Sequence, residues 1–153
     1  MAVRPARPKD VKEITKLTIQ MHNHLGQLVG IEFSADDLED EFFAESESLA
    51  GVYVAEDDRK VVGCISFSER IHEDEWSRRH YGLDHLIVDE KHRRKGFGTE
   101  LLRILLQTAQ KDNVNVVVDT FTKNKGTIAF FKSFGFKPLE TIFLLDKKKE
   151  TQA

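Results

Sequence analysis

His92-Arg93-Arg94-Lys95-Gly96-Phe97-Gly98-Thr99 is the stretch on which the fold turns. Before it comes the apolar run Tyr81–Val88; after it, Leu101, Leu102, Leu105, Leu106 and Ala109 recur at helical spacing. The change predicts a strand that gives way to a helix beginning at Gly96 or Phe97. A helix start leaves several backbone N–H groups without partners and carries about half a positive charge. Glycines at 96 and 98 take Cβ atoms out of the path of a bulky anion. Arg93, Arg94 and Lys95 add charge where phosphate oxygens would sit. Two familiar phosphate loops do not fit: a dinucleotide fingerprint wants glycine where Leu101 stands, and no Gly-Lys-Ser/Thr follows. Taken alone, the stretch is read equally well as a basic turn holding two glycines. A nuclear-localisation signal over Lys91–Lys95 suits it less, because the run lies inside a strand-to-helix junction.

The flanking sequence supplies an alternating framework. Val3–Ala6 reads as a short edge strand that tolerates Pro5. Pro8 opens a helix over Asp10–His24, with Val11, Ile14, Leu17, Thr18, Met21 and Leu25 at spacings of three and four. Gly26–Phe33 reads as a loop. Ser34, followed by Asp37, starts a second helix through Phe43. Gly51–Glu56 and Lys60–Ser68 form a hairpin around Asp57-Asp58-Arg59. Val114–Thr120, apolar and β-branched, predicts a central strand. Thr127–Phe134 is a short helix stopped by Gly135, and Thr141–Leu145 a final strand. The class is α/β (α+β) with a mixed sheet. One domain spans residues 1–147, and 148–153 form a polar tail.

At 153 residues, a domain hides about two-thirds of its unfolded-chain surface and needs no metal or disulfide to hold it. The single cysteine, Cys64, excludes an intrachain disulfide and a cysteine-rich metal site. A net charge of −3 argues against a chain built to wrap nucleic acid. No run approaches the ~20 apolar residues of a membrane span, and the N-terminus lacks a signal-peptide core. A cytoplasmic location without membrane or nucleic-acid partners is the default expectation. Charge is unevenly spread: between Glu32 and Glu47 acidic residues occur without Lys or Arg, while Lys91–Lys95 is wholly basic or His.

Arg93-Arg94-Lys95-Gly96-Phe97-Gly98 resembles the acetyl-CoA pyrophosphate loop of the GNAT superfamily of N-acetyltransferases. Downstream, Asn124, Thr127, Phe130, Phe131, Gly135 and Phe136 resemble that superfamily's Asn-x-x-Ala/Ser-x-x-Phe-Tyr-x-x-x-Gly-Phe segment. Leu83-Asp84-His85-Leu86-Ile87-Val88 and the acidic stretch Ser34–Phe42 resemble the diamine (spermidine/spermine and thialysine) acetyltransferases. The resemblance implies a GNAT-like acyl-CoA N-acyltransferase fold with splayed central parallel strands, and a homodimer. Acetyl-CoA would be the cosubstrate, with no metal. Leu86, Ile87 and Val88 would line its arm, with the amides of Leu86 and Val88 holding the acetyl carbonyl and pantetheine. Arg93 through Thr99 would hold the pyrophosphate. Asn124 and Phe131 would meet the CoA arm from the later helix.

Acetyl transfer to an amine needs a base, because an alkylamine of pKa near 10.4 arrives protonated. Asp84 is the first candidate, standing where the diamine enzymes carry a glutamate. The competing reading is a carboxylate satisfied by a nearby arginine. His85 is the second, since an ordinary imidazole already titrates in the useful range. Strict alternation would put the two on opposite faces. His22, His24, Glu32 and Asp84 are candidates for the acceptor side, although helix-end histidines and acidic helix faces are more often simply solvated. Phe131 replaces the tyrosine that the family uses to protonate the leaving thiolate. The sequence thus leads to N-acetyl transfer onto a small polyamine, diamine or lysine-like amine. A protein or peptide acetyltransferase and a non-catalytic acyl-CoA-binding module are the alternatives.

Overall fold

In the computed structural model, which describes residues 2–30, 49–71, 79–145 and 147, five strands form one sheet in sequential order. They are β1 (Ala2–Pro5), β2 (Val52–Asp57), β3 (Lys60–Ile71), β4 (Arg79–Val88) and β5 (Asn115–Val117). Strands β1 to β4 pair antiparallel, and β5 lies parallel to β4. The β2–β3 hairpin turns on Asp58 and Arg59, both at positive φ (50° and 63°), as a two-residue turn matched to strand twist requires.

Helices cover both faces. On one, Ile14 and Leu17 of α1 (Val11–Val29) pack on Val52, Val54, Cys64 and Ile87. On the other, Phe97, Leu101, Leu102 and Leu105 of α2 (Phe97–Asp112) and Phe131 of α3 (Lys125–Ser133) pack on Ala55, Val62, Ile65, Phe67 and Leu83. The apolar stripe read in the sequence is the buried face of α2.

The pairing of β4 with β5 runs only from His80↔Asn115 to Gly82↔Val117, while β4 continues to Val88. From Leu83 onward that edge of β4 has no strand partner among the described residues. The two parallel strands therefore part, as the resemblance implied, and the parting opens toward the start of α2.

Several expectations are corrected. The first helix continues past His24 to Val29, with Gly26 buried inside it. A helical glycine costs only about 1 kcal/mol; the stop is Gly30, left-handed at φ 76°, whose N–H bonds Gly26 O at 2.7 Å. The run Val114–Thr120 gives only Asn115–Val117, at the end of the described sheet order and not inside it. Thr141–Leu145 is not a strand. Ile142, Phe143, Leu144 and Leu145 are 71–91% exposed, and strand propensity without a neighbouring edge yields no ladder. The expected second helix, the acidic segment with Glu32, and the tail at 148–153 lie outside the described residues. Among the described residues no helix is long and apolar enough to cross a membrane.

The N-terminal strand is tied to α1 by a buried carboxylate. Asp10, 3% exposed, accepts from Arg4 Nη1 (2.8 Å), Arg4 Nη2 (3.0 Å) and the Arg7 N–H (2.7 Å). Arg4 Nε also donates to Glu56 at 2.8 Å, which adds β2 to the network. Chiefly through its bonds to Arg4, the Asp10 carboxyl is held below its usual value. A depressed carboxyl stabilises the fold above the ordinary value near ~3.9, and that stability is lost as pH falls through the folded one. Asp10→Ala is expected to cost about 2–3 kcal/mol in urea denaturation at neutral pH, because it strands a half-buried guanidinium. The difference from the unmodified chain should narrow below about pH 4.

Candidate active site

The mouth of α2 is built on Gly96, whose φ of 87° places it in the left-handed region that glycine adopts without strain. Gly96 has no side chain to cap the helix, and the first turn closes only with Glu100 N–H to Gly96 O at 3.1 Å. The amides of Phe97, Gly98 and Thr99 therefore precede the first intrahelical bond. Arg93, Arg94 and Lys95 are exposed beside them, and Arg93 Nε donates to Val88 O at 3.2 Å. Phe97 is buried and anchors the turn in the core. A Cβ on Gly98 would lie 3.7 Å from Phe130 Cζ and 3.8 Å from Val88 Cγ2, ordinary contacts. The chain itself does not require glycine there, so a missing side chain at 98 matters only to something that approaches from outside.

Two residues that the sequence reading missed set the turn before this mouth. Asp89 accepts from Lys91 N–H (3.3 Å) and pairs with His92 Nδ1 (2.8 Å). Gln20 of α1 donates to Asp89 at 3.2 Å and accepts from Glu90 N–H at 3.3 Å. The His92 bond is the main reason that the Asp89 carboxyl sits below its usual range. An aspartate capping a short turn was legible in principle; Gln20, 69 positions away in the chain, was not.

The open edge of β4 carries the next set of donors. Asp89 N–H bonds Val62 O of β3 at 2.8 Å. Amides alternate in direction along a strand, so those of Val88 and Leu86 point to the other edge, where β5 has parted. Ile87 belongs to the β3-facing set, and its side chain is buried against α1.

One step further along, the sheet breaks register. Ser66 pairs with His85 but Phe67 pairs with Leu83, so Asp84 is an extra residue on β4. This bulge overturns the expectation that Asp84 and His85 face opposite sides. Leu83 and Leu86 both pack toward α2, which leaves the two intervening side chains on the α1 side. Asp84 there accepts from Arg70 Nη2, which crosses β4 over Gly82; a Cβ at Gly82 would meet that guanidinium. His85 Nδ1 lies 3.0 Å from Ser66 Oγ, and the His85 ring centroid is 6.4 Å from that of His22 on α1.

The remaining candidates divide. His22 joins this polar group, whereas His24 is exposed on α1. Asn124 begins α3, and its side chain makes no capping bond. Phe131 is a core residue, 6% exposed and packed on Phe136 with ring centroids 5.6 Å apart. The ring that reaches the helix mouth is Phe130, one position earlier. Neither of the chain's two tyrosines stands at the mouth: Tyr53 stacks on Phe67, and Tyr81 donates to Asp112. Burial pushes the Cys64 thiol up to about 12, so it is no nucleophile at neutral pH. Among the described residues no group of His, Cys, Asp or Glu is arranged to hold a metal.

A family model described as Acetyltransferase (GNAT) family matches residues 13–136, most of the chain. The chain belongs to the GNAT family. Members of this family use acetyl-CoA as cosubstrate. The chain is 34% identical over 93 residues to human N-acetyltransferase 8, a match that spans 60% of this chain and 40% of that protein. It is thus similar to less than half the length of that relative. Among solved structures, a possible acetyltransferase from Clostridium difficile 630 superposes with a TM-score of 0.75 at 20% identity, over 95% of this chain and 96% of that one. A GNAT acetyltransferase from Staphylococcus aureus Mu50 gives 0.71 at 18%, over 91% and 85%. At these identities the two structures share the GNAT fold with this chain and speak to nothing finer.

Proposed function

We propose that this GNAT chain transfers the acetyl group of acetyl-CoA directly to a primary amine, with a small polyamine, diamine or lysine-like amine as acceptor. The observation that carries the reading is one of alignment. The amides of Phe97, Gly98 and Thr99 lie at the end of the open β4 edge toward which the Leu86 and Val88 amides point. A long ligand with a diphosphate at one end and a thioester at the other would draw on both sets of donors.

The chemistry follows from that placement. The amine nitrogen attacks the thioester carbonyl carbon, the C–S bond breaks, and CoA departs as thiolate. The amine proton passes to a base on the α1 side of the bulge. His85 takes that role in this reading, because the Asp84 carboxylate is already engaged by Arg70. A thiol of pKa near ~8.5 leaves readily as thiolate, so the absence of tyrosine at 131 does not block the reaction. Asp84 and His22 supply the polar wall that meets a cationic amine. A cytoplasmic homodimer completes the proposal, and the exposed run Ile142–Leu145 is the apolar surface such a dimer would cover.

Calorimetry with acetyl-CoA, followed by CoA release in the presence of polyamines, lysine analogues and peptides, tests the reading. Saturable binding with turnover of the small amines is expected. Turnover confined to peptides would move the acceptor to the protein class, and binding without any turnover would leave a non-catalytic module. No heat with acetyl-CoA would sink it altogether.

A further inference from the structure

We infer that His92 is a positioning residue for the diphosphate: it fastens together the two ends of the loop from Asp89 to Phe97, so that the amides of Phe97, Gly98 and Thr99 are presented already formed. The inference deepens the proposed acetyl transfer and rests on acetyl-CoA binding at the mouth of α2. At the start of the loop, His92 Nδ1 lies 2.8 Å from Asp89 Oδ2. At its end, the His92 ring meets Phe97 edge to face, with centroids 6.3 Å apart and planes at 68°. The direction of the Asp89 bond is fixed. The Asp89 carboxyl sits below its usual range, so at neutral pH it is ionised and can only accept, and Nδ1 carries the hydrogen. On the other side of the ring, Nε2 faces Asp57 of β2 at 3.9 Å, beyond hydrogen-bond reach.

Each end of the loop is secured from behind. Asp89 N–H bonds Val62 O of β3 at 2.8 Å, and Gln20 of α1 donates to Asp89 Oδ1 at 3.2 Å. Phe97 is 3% exposed. The middle has no such support: Arg93, Arg94 and Lys95 are all exposed. Arg94 nevertheless stands at φ 63°, a left-handed conformation that a residue with a Cβ keeps only where its surroundings hold it there. The shape of the loop is therefore set from its two ends, and His92 is the side chain that touches both. A loop formed before its ligand arrives loses little conformational freedom on binding. With the ends unfastened, that ordering would fall on acetyl-CoA and weaken its affinity.

The test uses the full chain with His92→Ala, His92→Asn, Gln20→Ala and the double variant of Gln20→Ala with His92→Ala. Calorimetry should show His92→Ala raising the Kd for acetyl-CoA by about 10- to 100-fold, the scale of one hydrogen bond to a charged group. KM for the amine should hold. His92→Asn, whose amide can still donate to Asp89, should recover much of the affinity. Gln20→Ala should weaken binding in the same direction by a smaller factor, since Gln20 reaches the loop only through Asp89 and Glu90. Both residues act through Asp89, so the double variant should lose less than the product of the two single losses. In the ligand-free chain, amide NMR relaxation of residues 93–97 should report an ordered loop that becomes mobile in His92→Ala. Three results would each overturn the inference: unchanged Kd in His92→Ala, losses that multiply in full in the double variant, or a loop equally ordered without the imidazole. If the unmodified chain bound no acetyl-CoA, the proposed function would fail instead, and the relaxation of the free chain would still decide whether His92 holds the loop.

Discussion

Gly98→Asp is expected to weaken acetyl-CoA binding by about 100-fold or more in calorimetry, while the thermal midpoint stays at or above that of the unmodified chain. The two effects separate because the position makes different demands on fold and on ligand. For the fold, a Cβ at 98 finds only ordinary contacts at 3.7 and 3.8 Å. Replacing a helical glycine gains up to about 1 kcal/mol, and a carboxylate in the first turn adds about 0.3–1 kcal/mol against the helix dipole. For the ligand, a second negative charge enters the cradle. Like unit charges about 4 Å apart at an effective dielectric of about 20 repel by about 4 kcal/mol, close to a thousandfold in affinity. Gly96→Asp should lose binding as well, but its φ of 87° strains any side chain and mixes a folding defect into the result. Unaltered affinity in a well-folded Gly98→Asp protein would remove the diphosphate from the mouth of α2.

That the turn at the mouth of α2 could be read from the sequence has a physical reason. Its parts are local: a strand end, a left-handed glycine, three basic side chains and a helix with one apolar face all lie within about twenty-five residues and follow from period and glycine placement alone. The same holds for the Asp58-Arg59 turn and the stop at Gly135, where φ is +93°. What failed was decided between strands. Alternation put Asp84 and His85 on opposite faces, and only the pairing of Ser66 with His85 and Phe67 with Leu83 reveals the extra residue. A bulge changes the phase of one strand against its neighbour, so the strand's own residues do not announce it. Phe131 illustrates the same limit on a helix. Adjacent phenylalanines at 130 and 131 differ by about 100° around the axis, and the family pattern could not say which one the core would take. Gln20 and Arg70 act from other elements, and nothing in a linear reading brings them to Asp89 and Asp84.

The bulge also reorders the two candidate bases, and the reordering carries the second large expected effect. His85→Gln should lower kcat by about 100- to 10,000-fold, the range for losing a general base, with acetyl-CoA affinity unchanged. Asp84→Asn should cost less, and should raise KM for the amine more than it lowers kcat. The amine sets the size of the first effect: with a pKa near 10.4, only about four molecules in ten thousand are unprotonated at pH 7. An enzyme with a base recovers reactivity that solution denies, and loses it when the base is gone. The Asp84 carboxylate is already engaged by Arg70. His85 is hydrogen-bonded to the neutral hydroxyl of Ser66. If His85 is the base, kcat/KM in the unmodified chain should show an acid limb that vanishes in His85→Gln. A limb that survives in His85→Gln and disappears in Asp84→Asn would return the role to the carboxylate. The Arg70 ion pair would then have to open before each turnover, and Arg70→Gln would speed the reaction instead of slowing it.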